Sequence, residues 1–266
     1  MAEVTEHIEE EIGEHDTDEK EMSFLDHLEE LRWRLVKSVI GLLVAIVGCT
    51  LFADWLVNEV VLRPSRIIRP PLNLINTIPY GQITFYMGVV ITAGFIISSP
   101  WILYQIWKFV EPALREKERS YVSGIVVSTT FCFLTGVAFA YFLMLPYMLQ
   151  FFATFGSTSI VNMISVSEYM SFVIQLILLS GLIFELPMVA YFLARFGIMT
   201  PAFMRHYRRH SIVAILIIAA IVTPTTDPIT MTIFALPMFL LYEISIWIAG
   251  VASKQRADRA ADRGMK

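Results

Sequence analysis

Glu185 occupies the most costly position in the chain. It lies well inside an apolar run, Tyr169–Ala194, and Pro187 follows two positions later. A carboxylate at bilayer depth costs about 2.5–3.5 kcal/mol on insertion scales, so such residues usually serve function and face protein or water. Pro187 has no N–H and releases a carbonyl one turn earlier, which adds a second polar point to the same stretch. The alternative is a packing carboxyl, kept protonated or hydrogen-bonded. Glu243, near the end of the last apolar run, can snorkel to the interface. Two further acids stand among bases: Glu30 beside Arg32 and Arg34, and Glu118 among Arg115, Lys117 and Arg119. Exposed pairs of this kind contribute little on their own.

Other chemistry is scarce. The sequence contains no GxxxxGK[ST] phosphate loop, no GxSxG nucleophile elbow and no HExxH helix. The histidines, His7, His15, His27, His206 and His210, lie outside the apolar runs and none pairs with cysteine at ligand spacing. Cys49 and Cys132 lie inside runs and read as small buried apolar residues. No metal, cofactor, nucleic acid or covalent catalysis is expected.

The elements that must position these acids are membrane helices. Hydrophobic residues make up 56% of 266 positions, and mean hydropathy is +0.63. The apolar residues gather in six runs: Leu35–Val57, Ile83–Ile106, Tyr121–Leu145, Tyr169–Ala194, Ser211–Val222 and Ile229–Ala249. A span needs about 20 such residues, and in lipid every backbone polar group must be paired internally. The pattern predicts an all-α integral membrane protein with six transmembrane helices. The fifth run has only 12 residues, about 18 Å as a helix, which forces snorkelling or local thinning of the bilayer.

Charge sets the orientation. Of 20 Lys and Arg, 17 fall at or before the start of the first run, between runs two and three, between four and five, or after six; only Arg63, Arg66 and Arg69 fall on the other side. The positive-inside rule then puts both termini in the cytoplasm, in an inner membrane, and aromatics such as Trp33, Trp107, Tyr80 and Tyr147 mark the two interfaces. The acidic first 21 residues lack the basic n-region of a cleavable signal. Residues 1–22 are expected to be a disordered tail, 23–34 an amphipathic cytoplasmic helix with Asp26, Glu30 and Arg34 on one side at i, i+4 steps, 35–250 the six-helix domain, and 251–266 a basic tail. The outer loops Asn58–Gln82 and Pro146–Glu168 are long enough to form an ordered cap.

Several stretches together resemble the TatC family, the core of the twin-arginine protein translocase. His27-Leu28-Glu29-Glu30-Leu31-Arg32-Trp33-Arg34-Leu35 is similar to its "HLxELRxRL" opening, and Ser98–Leu114 to "SPxxxYQxWxFxxPAL". Glu118-Arg119 fits the "ER" that closes that loop, and Gly136–Phe142 fits "GxxFAYF". Ser171-Phe172, Phe184-Glu185-Leu186-Pro187, Thr223-Pro224, Asp227 and Ala235-Leu236-Pro237-Met238 extend the likeness, in order, over about residues 23–250.

The resemblance implies a concave, glove-like bundle with short helices five and six. It implies binding of twin-arginine signal peptides of folded precursors, with Glu30 and Glu118 holding the guanidiniums and Arg32, Phe109, Pro112 and Leu114 shaping the pocket. Two arginines suit two carboxylates. Glu185, Pro187, Asp227 and Met231 are implied in contacts with the inserted signal and with TatA- and TatB-type single-span partners, alongside self-association in a receptor complex and a proton-motive-force drive. Met231 and Gly88 stand where many members carry Gln and Lys, which leaves Glu185 to do more alone. The rival reading is a secondary transporter or channel with Glu185 as its proton or cation site; an intramembrane enzyme ranks last.

Overall fold

A computed structural model describes residues 24–111, 122–156, 163–222 and 228–264. The acidic tail, the Ser23 start of the first helix and the loop residues Pro112, Leu114, Glu118 and Asp227 lie outside the described residues.

Among the described residues, the regular structure is helical apart from one pair of three-residue strands. Its elements are α1 (Phe24–Thr50), α2 (Arg63–Ile67), β1 (Asn73–Ile75), α3 (Gly81–Val110), α4 (Val122–Phe139), α5 (Leu145–Thr154), β2 (Met163–Ser165), α6 (Val166–Ile183), α7 (Leu186–Phe196), α8 (Pro201–His206), α9 (Arg208–Val222) and α10 (Pro228–Gly264). Among the described residues, five stretches are long and apolar enough to cross a membrane: His27–Thr50, Gly81–Val110, Ser123–Thr154, Val166–Phe196 and Met231–Gln255. Their outer faces stay uncovered; Val44 is 68% and Val47 67% exposed. A row of that kind on a rim helix is suited to lipid and not to water.

The amphipathic segment leads into the first apolar run as one unbroken helix, α1, because no Gly or Pro occurs from Phe24 to Ile40. The sixth helix, expected to be short, is corrected: α10 has 37 residues. The Ala-, Arg- and Asp-containing stretch after Val251 has good helix formers and no breaker before Gly264. By contrast α9 is short, with 15 residues, or about 22 Å of helix. Cysteine labelling along α9 is expected to find a protected stretch of about 15 residues, with neighbouring lipid thinned to match; protection over 20 or more would contradict that placement.

Four prolines are accommodated in different ways. Pro100 lies inside α3 and leaves the Ile96 carbonyl without its helical donor. The Ser99 hydroxyl donates to that carbonyl at 2.8 Å, so the helix continues. Before Pro146, the backbone widens into a π-turn over Ala140–Met144, one of the local adjustments that absorb a missing donor. Before Pro187 the helix breaks, which separates α6 from α7. At Pro201 a new helix begins, with the Thr200 hydroxyl accepting from the Phe203 N–H at 3.2 Å.

The end of the bundle carrying β1 and β2 is tied into a cap. β1 pairs with β2 in parallel, with Asn73, Leu74 and Ile75 opposite Met163, Ile164 and Ser165. The Gln150 side chain brackets Arg69, accepting from its N–H at 3.1 Å and donating to its carbonyl at 2.5 Å. A π-turn over Leu56–Val61 presents two carbonyls inward, and the Tyr141 hydroxyl donates to Val60 at 2.8 Å and the Tyr169 hydroxyl to Val61 at 2.6 Å. Tyr169 is fully buried, and Leu145, Met148, Leu149, Val173 and Leu176 are fully buried with it in the same core.

Small residues let the helices approach closely. A Cβ on Gly94 of α3 would lie 2.9 Å from the Ile46 Cα of α1. A Cβ on Gly136 of α4 would lie 2.6 Å from the Ser180 carbonyl oxygen and 2.9 Å from the Gly181 Cα of α6. Close approach of backbones through small residues is how helices associate where lipid offers no hydrophobic gradient.

Candidate functional site

The first cluster forms where the start of α1 meets the end of α3. Both Nε and a terminal nitrogen of Arg34 donate to Glu30 Oε1, the Nε bond at 2.8 Å. The i, i+4 spacing on one helix makes this pair almost unavoidable. Glu30 Oε2 is buried and has no hydrogen-bond partner among the described residues. The carboxylate is therefore oriented by one oxygen and left with acceptor capacity on the other, the arrangement an incoming guanidinium requires.

Two contacts between α1 and α3 help fix where that carboxylate sits. The His27 ring stacks on Phe109 with centroids 4.3 Å apart. The Trp101 indole donates to the Lys37 carbonyl at 3.0 Å. It reaches there because Gly41 has no side chain; a Cβ would fall 2.4 Å from Trp101 Cδ1. On the other side of α3, Trp107 donates to Thr129 Oγ1 at 3.2 Å and its ring lies 4.0 Å from Phe192. The last turn of α3, with Phe109 and the Lys108–Glu111 pair at 2.7 Å, is thus fixed between α1, α4 and α7. Of the sequence-predicted set, Phe109 touches α1 through His27, which lies three positions before Glu30 on the same helix. Arg32 is exposed on α1.

The second cluster is the α6–α7 joint. Phe184 N–H donates to Ser180 and Glu185 N–H to Leu182, and Glu185's own carbonyl accepts from Met188 and Val189. Glu185 is the residue at which one helix stops and the next starts, and Pro187 at the second position of α7 is the cause. The Glu185 side chain is 9% exposed, and its Oε1 finds no hydrogen-bond partner among the described residues. Met231, near the start of α10, packs against the main core. Glu243 does not merely snorkel: Arg208 of α9 pairs with it at 2.8 Å. Among the described residues no cluster of His, Cys, Asp and Glu could hold a metal ion.

The family model for TatC, the Sec-independent protein translocase protein, matches residues 26–237. The chain belongs to the TatC family. It is 36% identical over 239 residues to the Sec-independent protein translocase protein TatC of Aquifex aeolicus (strain VF5), covering 89% of this chain and 98% of that one. It is 38% identical over 237 residues to the TatC of Helicobacter pylori (strain J99), covering 89% and 92%. Its fold matches a crystal structure of the twin-arginine translocase receptor TatC with a TM-score of 0.76 and 36% identity, over 85% of this chain and 99% of the other. A second crystal structure of a TatC, in DDM, also gives 0.76, at 37% identity over 84% and 99%. The protein is a multi-pass membrane component of a Sec-independent translocase, a transport protein and not an enzyme.

Membership of the TatC family explains the match between motifs and clusters. The opening motif contains Glu30 and also its holder Arg34. The Ser98-Ser99-Pro100 start of the second motif is the serine repair of a proline inside α3. Sequence reading missed the His27–Phe109 stack and the seating of Trp101 on Gly41, because both join residues more than 50 positions apart. The local signal for the second was Gly41, a small residue among large ones on α1.

Proposed function

We propose that the chain is the receptor subunit that binds twin-arginine signal peptides at the joined ends of α1 and α3. The observation that carries this reading is the state of Glu30. One oxygen is held by Arg34, the other is buried without a partner, and the helix bearing it is clamped to Phe109. The loop that follows α3 carries Glu118, which supplies the second carboxylate for the second arginine. Pro112 and Leu114 in that loop and Arg32 on α1 complete the recognition surface.

With six spans and both termini in the cytoplasm, this surface faces the compartment in which precursors fold. α9 is the short fifth span. Glu185, at a helix break with an unsatisfied oxygen, is the polar contact for the inserted signal or for a TatA- or TatB-type helix, with Pro187, Asp227 and Met231 nearby in the family pattern. Assembly with those partners and with further copies, driven by the proton-motive force, completes the cycle in the inner membrane.

The test is export of a folded fluorescent cargo bearing a twin-arginine signal, in cells lacking their own TatC and supplied with this chain. Export that needs both the signal arginines and this chain supports the reading. Glu185-dependent solute uptake with no export would favour the transporter. Orientation is checked with alkaline phosphatase fusions. Activity is expected in the Asn58–Gln82 loop and none after Lys266, from the 17-to-3 basic asymmetry; the reverse pattern would invert the topology.

A further inference from the structure

Gln105 of α3 is 3% exposed, and its Oε1 is buried with no hydrogen-bond partner among the described residues. An unpaired amide oxygen in the interior opposes folding, and such a group in a native protein calls for an explanation. An apolar side chain of similar length would pack there without that cost.

The place of Gln105 in the helix pair supplies the explanation. Three other residues of α3 meet α1: Gly94 against Ile46, Trp101 at the Lys37 carbonyl, and Phe109 on the His27 ring. At about 100° per residue these three and Gln105 fall within an arc of about 80°, with Gln105 near its middle. Along the axis Gln105 stands four positions from Trp101 and four from Phe109, about 6 Å each way. On α1, Glu30 and Arg34 are partly buried, while every other residue from Leu28 to Val36 is exposed. α1 therefore turns Glu30 and Arg34 toward α3. The two helices run antiparallel, with His27 at Phe109 and Lys37 at Trp101, so Gln105 stands at the level between Glu30 and Arg34.

Two acceptor oxygens without donors, Glu30 Oε2 and Gln105 Oε1, thus belong to one stretch of the α1–α3 seam. A guanidinium offers several N–H donors in a fixed planar fork and no acceptor. We propose that Gln105 is a specificity-determining residue of the signal site, its Oε1 accepting an N–H from the same arginine that engages Glu30 Oε2. This rests on the reading of the joined ends of α1 and α3 as the twin-arginine site. Glu30 supplies the charge. The amide adds a directional acceptor without placing a second negative charge beside it. One planar fork serves both oxygens, whereas a lysine ammonium is a compact, strongly hydrated point charge.

The test is equilibrium binding of four signal peptides to the purified full-length protein: arginine–arginine, the two with a single lysine, and lysine–lysine. Gln105→Met and Gln105→Leu both remove the acceptor and keep an apolar body. Each is expected to weaken the arginine–arginine peptide by about tenfold and the lysine–lysine peptide by less than about threefold, as the loss of one charge-assisted bond implies. The loss is expected to vanish on one of the single-lysine peptides, and on the same one for which Glu30→Gln loses its effect, because both oxygens serve one arginine. Thermal stability of both variants is expected to match or exceed wild type, since Oε1 gives up no bond of the empty protein. Lower stability with equal losses for all four peptides would mark Gln105 as a packing residue and overturn the proposal. So would dependence of the Gln105 variants and Glu30→Gln on different arginines. An arginine preference that needs Glu30 but survives both Gln105 variants would overturn this proposal alone. Equal binding of all four peptides by wild type would overturn the reading of the site and the proposal with it.

Discussion

Replacing Gly136 by valine is expected to destabilise the protein by about 3 kcal/mol or more, at the upper end of overpacking costs. The added Cβ would meet the Ser180 carbonyl oxygen at 2.6 Å, the Phe184 Cβ at 2.8 Å and the Gly181 Cα at 2.9 Å. None of these is the far end of a flexible side chain, so relief requires α4 and α6 to separate. Gly181 cannot yield either, since the Phe133 ring already lies 2.6 Å from where its own Cβ would be. The strain falls one turn before Glu185, so the helix joint should shift with it. Gly48→Ala provides the contrast: with nothing within 4 Å, it is expected to be neutral or to stabilise by up to about 1 kcal/mol through helix propensity. Thermal unfolding of the two variants in mild detergent checks both signs. A Gly136→Val protein as stable as wild type would show that the α4–α6 contact is looser than described.

Glu30→Gln and Glu118→Gln are each expected to weaken binding of a twin-arginine signal peptide by about ten- to a hundredfold. A charge-assisted hydrogen bond contributes roughly 1.5–3 kcal/mol. For Glu30 the effect is twofold in origin, because Gln both loses the anion and leaves Arg34 without its partner. Glu29→Gln is the control. Glu29 is exposed and about 100° further round α1, so its loss is expected to change binding by less than about threefold. A general defect of the helix would affect Glu29 and Glu30 alike. The measurement is equilibrium binding to purified variants whose membrane levels match wild type.

Local signals in the sequence reached a long way into this structure. Apolar runs of span length located the helices, because lipid leaves no other solution for the backbone. The Glu30–Arg34 pair was readable from i, i+4 spacing alone. Pro187 marked a freed carbonyl within one span, but not the full break at Glu185, since a proline such as Pro100 can also sit inside a continuing helix. What was hidden lies between distant segments. Nothing local in Asn73–Ile75 marks Met163–Ser165 as its partner strand, and the tyrosine bonds to the Val60 and Val61 carbonyls span 81 and 108 positions. Helix ends were misjudged for a different reason. Hydropathy marks where lipid stops, whereas a helix stops only where a cap or breaker stops it, so α1 begins before its apolar run and α10 continues past its own. The left-handed Gly197 that closes α7, with Ile198 N–H on the Leu193 carbonyl at 3.0 Å, is the kind of terminus that composition does mark.

The central claim is that carboxylates at the joined ends of α1 and α3 read paired guanidiniums. The most direct measurement compares, on the purified wild-type protein and on Glu30→Gln, the dissociation constants of a twin-arginine signal peptide and of its lysine–lysine counterpart. Lysine keeps the charge but lacks the planar fork that engages a carboxylate through two N–H groups. The account predicts that wild type prefers the arginine peptide by about tenfold or more, as the loss of one charge-assisted bond implies, and that Glu30→Gln narrows this preference. Equal affinity of wild type for the two peptides, or a preference unchanged by Glu30→Gln, would contradict it.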